Sequence, residues 1–306
     1  MSGKYSIVRW CGFLLLSTLL VFAAAGGVIA DPGGEQALLA KYPALQSKLE
    51  KSYLGAPIYL ESAEAGDSLR VDMYGVFHHP FSALRDALQS PSNWCDITSL
   101  HINIKACTYR KSGDQWYLTL YSGRKYYQPA SDAYPLRLKF QAPSQEPNYL
   151  QLLLSADEGP LHTKNHRMRL EAAPLPEGHS FVHFSYTYGY GSMTRMAMKS
   201  YFATIGRDKV GFSLAGGGKG FVGGVRGAIE RNAVRYYLAV QSYLDTLSFP
   251  EGQRFEQRTS RWYDLTVRYP RQLKEMDKPD YLAMKRQEQA NQLALQKKEG
   301  TARPLP

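Results

Sequence analysis

The segment from Val222 to Leu247 constrains the fold most, because it reads as one long amphipathic helix. Its apolar residues recur at alternating steps of three and four, the spacing of a single helix face; they are Val225, Ile229, Ala233, Tyr236, Val240, Tyr243 and Leu247. Glu230, Arg231, Arg235 and Asp245 fall on the opposite side, and Pro250 ends the helix. A helix of about 26 residues is about 39 Å long. It therefore needs a broad apolar surface to lie against.

Residues 56–191 supply that surface, because most of them read as strands with Pro- and Gly-containing links. One face of these strands is apolar: Leu136, Leu138, Phe140, Leu150, Leu152, Leu154, Met168, Leu170, Val182, Phe184, Tyr186, Tyr188 and Tyr190. The other face is basic: Lys105, Arg137, Lys139, Arg167 and Arg169. Sequential hairpins of this kind form an antiparallel meander with one buried and one wet face. The sequence thus predicts an α+β fold, a curved antiparallel sheet wrapped round a long C-terminal helix.

Helices flank this body. The sequence predicts an amphipathic helix over 35–52, short helices over 81–88 and near Trp94, and a further helix over 192–209. A glycine-rich stretch, 215–224, is interpreted as a hinge or gate before the long helix. Beyond Pro250 we expect a segment packed back on the body, then a charged helix over 272–298 with a mobile end. We divide the chain into 31–55, 56–249 with an insertion at 192–224, and 250–306.

The first thirty residues have the pattern of a secretory signal peptide. Lys4 and Arg9 precede an apolar run, and small residues lead to an exit after Ala30. A retained N-terminal anchor is the alternative. The prediction is an exported, periplasmic protein, and nucleic acid is a poor partner for such a chain. The formal net charge of +10 could favour an anionic lipid surface or ligand, although basic residues that solvate the sheet exterior explain it more simply.

Cys95 and Cys107 remain after export, in a compartment where disulfides persist. On one straight strand, twelve residues would separate them by about 40 Å, whereas a bridge needs Cα atoms within about 7 Å. A turn must lie between them. Pro91 and the residues after it can start a short helix that carries Cys95 back beside the strand of Cys107, so we predict a structural disulfide.

The order of elements carries a resemblance. Val76-Phe77-His78-His79-Pro80-Phe81-Ser82-Ala83-Leu84, followed by Ser90-Pro91-Ser92-Asn93-Trp94, resembles the opening of START-like, polyketide cyclase-like domains of the Bet v 1-like (SRPBCC) superfamily. This resemblance covers roughly residues 56 to 249 and implies the helix-grip fold. It also implies an apolar cavity between sheet and helix that takes lipids, sterols, polyketides or other hydrophobic molecules.

The sequence contains no complete motif for metal binding, nucleophilic catalysis or phosphate binding. None of the seven histidines has a metal-ligand spacing such as His-Glu-x-x-His, and no metal or cofactor is predicted. Gly189-Tyr190-Gly191-Ser192-Met193 lacks the last glycine of a nucleophile elbow. Lys219 is followed by Gly220 and not by the Ser or Thr of a phosphate loop. Of His78 and His79, one is expected to cap the sheet edge and the other to be solvated. The sequence favours a binding protein over an enzyme.

The candidate site is the row of aromatic residues near the end of the sheet. Predicted to line the cavity are Phe184, Tyr186, Tyr188, Tyr190, Met168, Tyr236, Val240 and Tyr243, although core packing can explain each tyrosine by itself. Arg195 and Arg235 are candidates for a carboxylate or phosphate head group, with a solvated face as the alternative. The leading hypothesis is an exported carrier of a hydrophobic small molecule, with a membrane surface as a further candidate partner. The alternatives are a cyclase- or hydratase-type enzyme in the same cavity, and an envelope interaction module that uses the basic sheet face or the tail helix. The sequence does not give the oligomeric state.

Overall fold

The computed structural model describes residues 34–300 apart from positions 53, 145, 205, 217 and 219. The predicted signal peptide and the end of the tail at 301–306 lie outside the described residues. The strands are β1 (Ile58–Ala65), β2 (Ser68–Phe77), β3 (Ile104–Ser112), β4 (Gln115–Ser122), β5 (Tyr134–Gln141), β6 (Leu150–Glu158), β7 (Thr163–Leu175) and β8 (His179–Tyr190). The helices are α1 (Glu35–Leu39), α2 (Tyr42–Glu50), α3 (Phe81–Leu88), α4 (Pro91–Thr98), α5 (Ser192–Ala203), α6 (Gly224–Asp245), α7 (Glu251–Thr266), α8 (Pro270–Leu273) and α9 (Lys278–Lys298).

The strands form one antiparallel sheet in the order β1-β2-β8-β7-β6-β5-β4-β3. The predicted meander is confirmed for β3 to β8, which pair in sequence. Helices α3 and α4 connect β2 to the far edge strand β3, and the chain returns strand by strand until β8 pairs with β2. The sheet is curved and unclosed, with β1 and β3 at its two edges. The helix-grip architecture predicted from the sequence is thus confirmed.

Helix α6 packs against the apolar face of the sheet, as the spacing of its apolar residues predicts. Gly75 on β2 permits a close approach, because a Cβ at this position would lie 2.5 Å from Cε2 of Tyr237. The Tyr237 hydroxyl donates to the carbonyl of Val76 at 2.9 Å, and its ring stacks on Phe77. A glycine in the strand therefore sets where the helix meets the sheet.

The opposite side of α6 is also buried, which the sequence did not predict. Glu230, Arg231 and Arg235 are 0%, 6% and 2% exposed. Residues 210–213, helix α7 and residues 273–275 lie on this side and supply partners, so the charges are not left unpaired. Glu230 accepts the N–H groups of Phe212 and Ser213 at 2.7 and 2.9 Å. A helix with one apolar stripe is consequently buried nearly all round.

The outer face of the sheet is wet and basic only in part. Arg137, Lys139 and Arg167 are exposed as predicted. The predicted helix over 35–52 is broken into α1 and α2, which cover part of the outer face with a small second core of Leu38, Leu49, Val76, Tyr149, Ala173 and Phe181. The placement of Lys105 on the wet face is wrong. An irregularity of β3 between Ile104 and Ala106, together with α9, buries this side chain to 1% exposure.

Helix α9 covers the edge strand β3. The backbone N–H groups of Cys107 and Tyr109 donate to the side-chain oxygens of Gln292 and Gln296 at 2.8 and 2.9 Å. Residues four apart on a helix rise about 6 Å, close to the about 6.8 Å between alternate residues of a strand. The glutamines thus match the strand and occupy an edge that would otherwise be open to another chain. They hold on the sheet a part of the helix that was expected to be mobile.

The predicted disulfide is confirmed. Cys95 lies on α4 and Cys107 on β3, with Cα atoms 5.0 Å apart and the two sulfurs bonded. Helix α4 begins at Pro91 and returns the chain to the strand, as the turn argument requires. Among the described residues, no helix has both the length and the hydrophobicity needed to cross a bilayer.

Candidate functional site

The tyrosine row of β8 lies on the concave face of the sheet, opposite α6. Tyr186 pairs with Val71 on β2 and with Met168 on β7, so it lies in the middle of an apolar strip. Ring centroids are 5.5 Å apart between Tyr186 and Tyr188 and 6.1 Å apart between Tyr188 and Tyr190. The period of two in the strand thus places three phenol rings along the concave face of the sheet, so that they border the region between sheet and helix, the hollow.

The eight predicted lining residues fall into two groups. Phe184, Tyr190, Val240 and Tyr243 are buried, whereas Met168, Tyr186, Tyr188 and Tyr236 are only partly buried. Tyr190 donates a hydrogen bond to Glu64 at 2.6 Å, and the guanidinium of Arg258 lies 4.0 Å from the ring centre of Tyr243. These two rings are therefore fixed by protein partners.

The four partly buried side chains retain solvent-accessible surface, although other protein groups surround them. Burial raises the pKa of Tyr188 to about 12 and the pKa of Tyr186 and Tyr236 further above the usual value of a phenol. Asn232, one turn before Tyr236 on α6, is exposed. Desolvated rings with accessible surface are expected where a space remains between two packed layers.

His166 holds the hydroxyl of Tyr186. Nδ1 lies 2.7 Å from that hydroxyl, and Nε2 lies 3.0 Å from Oγ1 of Thr163. Thr163 donates its own proton to the carbonyl of Pro160 at 2.6 Å, so Nε2 of His166 must be the donor to Thr163. Burial, and then the charge of Arg167, lower the pKa of His166 to about 4. The imidazole is therefore neutral at pH 7, and Nδ1 accepts the proton of Tyr186.

His101 lies at the helix side of the hollow. Its ring stacks on Tyr236 with centroids 4.7 Å apart. The backbone N–H of Asn103 donates to Nδ1 at 3.1 Å. Burial, followed by the charges of Arg235 and Lys285, lowers the pKa of His101 well below its usual value, so this ring is neutral as well.

Arg195 and Arg235, the two arginines predicted to bind a head group, have separate partners and do not form one site. Arg195 pairs with Asp67 and donates to the carbonyl of Gly66 at the β1–β2 turn. Arg235 is buried and pairs with Glu275 at 3.0 Å, so it is not part of a solvated face. Their role in binding stays a prediction.

The paired histidines near the start of α3 both have partners. Nδ1 of His78 lies 3.0 Å from Nε2 of His179, and Nε2 of His79 lies 2.8 Å from Asp245. Across the part of the chain that the structure describes, no three His, Cys, Asp or Glu side chains have the arrangement of a metal site.

His101, His166 and Asn232 are site residues that the sequence analysis missed. A signal for His166 exists, since it lies two residues before Met168 and so shares a strand face with Met168 and Leu170. A histidine on an otherwise apolar face indicates a buried polar contact. No comparable signal marks His101, which lies outside the named strands and contacts α6 only in the tertiary structure.

Two surface clefts are lined by none of the eight predicted residues. One, of about 600 Å³, follows β1 and is lined among others by Lys48, Tyr59, Leu214 and Arg226. The other, of about 190 Å³, lies on the outer face of the sheet beside Arg137 and Lys139.

No protein-family model matches the chain, and no curated protein matches it significantly in sequence. Solved structures with a similar fold include the Zhui aromatase/cyclase from Streptomyces sp. R1128, at 10% identity and a TM-score of 0.39 over 60% of this chain and 98% of that one. Human StAR-related lipid transfer protein 5 matches at 10% identity and a TM-score of 0.36, over 69% and 98%. Norcoclaurine synthase from Thalictrum flavum matches at 9% identity and a TM-score of 0.33, over 47% and 81%. At these identities the likeness concerns the fold alone.

Proposed function

We propose that this chain binds and carries a mostly apolar small molecule in the hollow between the sheet and α6. The observation that supports this function is the set of partly accessible side chains on two facing elements, Met168, Tyr186 and Tyr188 on the sheet and Tyr236 on the helix. Apolar walls with a few placed polar groups are typical of small-molecule sites. Neutral His166 fixes the Tyr186 hydroxyl, so the wall carries no formal charge there.

Native mass spectrometry of the protein isolated from its own cells tests the proposal. A co-purified, lipid-sized ligand is expected, and an empty protein that also excludes lipophilic probes would contradict binding. Met168→Trp adds bulk to the hollow and should weaken binding of the neutral fluorescent probe N-phenyl-1-naphthylamine at least about tenfold. Leu293→Trp, at a position 62% exposed on α9, is the matched control and should leave probe binding unchanged.

Export to the periplasm is part of the proposal. It rests on the charged, apolar and small-residue pattern of the first thirty residues and on the disulfide between Cys95 and Cys107. If the signal peptide is removed after Ala30, the mature protein from its own cells should have the mass of a chain that begins at Asp31. A protein that retains the first thirty residues would contradict cleavage.

A surface beside the hollow suits contact with a membrane. Leu161, Met193 and Met196 are 62%, 82% and 74% exposed, and Thr194 ties α5 to the loop of Leu161 through a 2.8 Å hydrogen bond. Lys164 and Lys199 are exposed nearby along the chain. Exposed apolar side chains among cations favour an anionic lipid surface.

The membrane proposal has a direct test. Met193→Asp combined with Met196→Asp should reduce cosedimentation with anionic vesicles, while probe affinity in solution is unchanged. Leu293→Asp serves as the control at another exposed apolar position, on α9. Equal vesicle binding by the double variant and the control would contradict this contact surface.

An enzyme of cyclase or hydratase type is the second candidate. The observation that favours it is the pair of buried, neutral histidines, His166 and His101, each beside a tyrosine of the hollow. Such groups are able to move a proton at a bound substrate. Recovery of the co-purified ligand unchanged after incubation with the protein would argue for carriage without chemistry, and its conversion would argue for the enzyme.

A further inference from the structure

The side of the hollow near His101 contains buried hydrogen-bond donors with spare capacity. Because Nδ1 of His101 accepts the N–H of Asn103, the single proton of this neutral ring resides on Nε2. His101 is 2% exposed, and within the described part of the chain Nε2 makes no hydrogen bond of acceptable geometry, although Asn232 lies beside it. Leaving a buried donor without a hydrogen bond costs free energy, so such a donor is expected to have a function or to bind a partner.

Arg235 provides a second donor of the same kind. Its Nη2 donates to Glu275 at 3.0 Å, whereas its buried Nε has no hydrogen-bond partner among the described residues. On α6, Arg235 lies three residues after Asn232 and directly before Tyr236, whose ring stacks on His101. Residues three and four apart share a helix face. The charge of Arg235 acts on His101, and Asn232 lies beside His101, so the two unpartnered donors are neighbours at the edge of the hollow.

The charges around this site are unbalanced. Lys105 and Lys285 share the carboxylate of Glu288, at 2.7 and 2.8 Å. Arg235, Lys125 and Lys209 share the carboxylate of Glu275, at 3.0, 2.7 and 2.8 Å. Five cations therefore surround two carboxylates, in a region where Lys105, Lys285 and Arg235 are almost completely buried. A buried excess of positive charge favours an anionic partner.

We propose that this site, formed by Nε2–H of His101, Nε–H of Arg235 and the amide of Asn232, holds an anionic oxygen group of the bound molecule. The ligand class is then an amphiphile with a carboxylate or phosphate head group. Its apolar tail extends from Tyr236 along Tyr186 and Met168. This inference rests on the proposed function and gives it a chemical identity, because it separates anionic amphiphiles from neutral ones.

Three ligands with the same twelve-carbon tail test the head group. Dodecanoate, dodecyl phosphate and dodecanol are used to displace N-phenyl-1-naphthylamine from the full mature chain at pH 7.5. At least one of the two anions is expected to bind about tenfold or more tightly than the alcohol, because hydrogen bonds to a charged acceptor are the strong ones. The tighter anion identifies the head group as a carboxylate or a phosphate.

Two variants assign the effect to the site. Arg235→Lys keeps the charge next to Glu275 but removes the Nε–H, and it should weaken binding of the preferred anion about fivefold with dodecanol unchanged. His101→Phe keeps a ring on Tyr236 and should reduce the preference for the anion to about threefold or less. His179→Phe, at the surface pair with His78, is the matched control.

Circular dichroism and thermal unfolding establish that each variant is folded. The 15N chemical shift of Nε2 in His101 should change when the anion is added and not when the alcohol is added.

The possible outcomes separate the two proposals. Dodecanol binding as tightly as the anions would overturn the anionic head group and leave the hydrophobic-ligand function standing. An anion preference that survives in both Arg235→Lys and His101→Phe would overturn the site. If none of the three ligands displaces the probe, both proposals fail.

Discussion

Two histidines lie on neighbouring strands beside the tyrosine row, His183 on β8 and His166 on β7, and their surroundings are opposite. On the outer face, both ring nitrogens of His183 lie 3.0 Å from carboxylates, Nδ1 from Glu171 and Nε2 from Asp72. On the inner face, Tyr186 of the same strand meets His166 of β7, whose partners are two hydroxyls. Carboxylates on both sides require His183 to be protonated, whereas hydroxyl partners and burial keep His166 neutral.

The difference separates a structural network from a binding wall. Protein groups supply further partners for both carboxylates of the outer network. Glu171 also accepts a hydrogen bond from the hydroxyl of Tyr149, and Asp72 accepts one from the guanidinium of Arg70. The inner pair is uncharged and borders side chains that retain accessible surface. A neutral wall leaves room for an apolar guest without the cost of an unpaired buried charge.

The largest expected effect comes from breaking the outer network. Glu171→Gln removes the charge that faces His183 and should lower the free energy of unfolding by about 3 kcal/mol, since a buried ion pair is broken on one side. Urea unfolding monitored by circular dichroism measures it. Glu158→Gln, at an exposed position of β6, should change stability by less than about 0.5 kcal/mol. Equal effects at both positions would contradict a structural role for the network.

The inner histidine should make the protein sensitive to acid. Because the folded pKa of His166 is lowered to about 4, its contribution to stability is complete above the unfolded pKa of about 6.5 and is lost as the pH falls toward 4. The loss amounts to about 2 to 3 kcal/mol. His166→Gln should remove this part of the pH profile of the free energy of unfolding. An unchanged slope in the variant would contradict a lowered pKa of His166 in the folded protein.

The hydroxyl of Tyr186 is expected to matter less. Tyr186→Phe leaves Nδ1 of His166 without its donor and should cost about 1 to 2 kcal/mol of stability. Tyr188→Phe is the matched control, since in the described residues its hydroxyl has no hydrogen-bond partner, and it should cost less than about 0.5 kcal/mol. Thermal unfolding compares the two. Similar losses would contradict the assigned hydrogen bond.

The smallest effect is expected at alkaline pH, from His183. Burial lowers the pKa of this ring, but the hydrogen bonds and charges of Asp72 and Glu171 outweigh burial and raise it above 6.5. The stabilisation is therefore complete below about 6.5 and is lost as the pH rises through the raised folded pKa. Titration of the imidazole by NMR should give a pKa for His183 above 6.5. A lower value would contradict the ion pairing.

Much of the fold follows from local patterns. The period of two in β5 to β8 assigns the inner face, and the spacing of apolar residues in α6 predicts the helix to within two residues of each end. The tyrosine row could be predicted for the same reason. His101 could not, because its contact with Tyr236 joins a residue outside the named strands to a helix more than one hundred residues later. Lys105 was assigned to the wrong face because the alternation of side chains along a strand reveals neither the irregularity of β3 nor the packing of α9 against it.

The sequence by itself determined which residues of β5 to β8 share a face, where α6 begins and ends to within two residues, and that Cys95 and Cys107 pair across a turn. These features depend on backbone periodicity and chain geometry over short stretches. Tertiary structure alone decided that the charged side of α6 is buried, that β3 is covered by the glutamines of α9, and that His166 is neutral while His183 is charged. Each of those outcomes depends on which distant groups supply hydrogen bonds and charges, and a polar side chain has no fixed preference until its partners are in place.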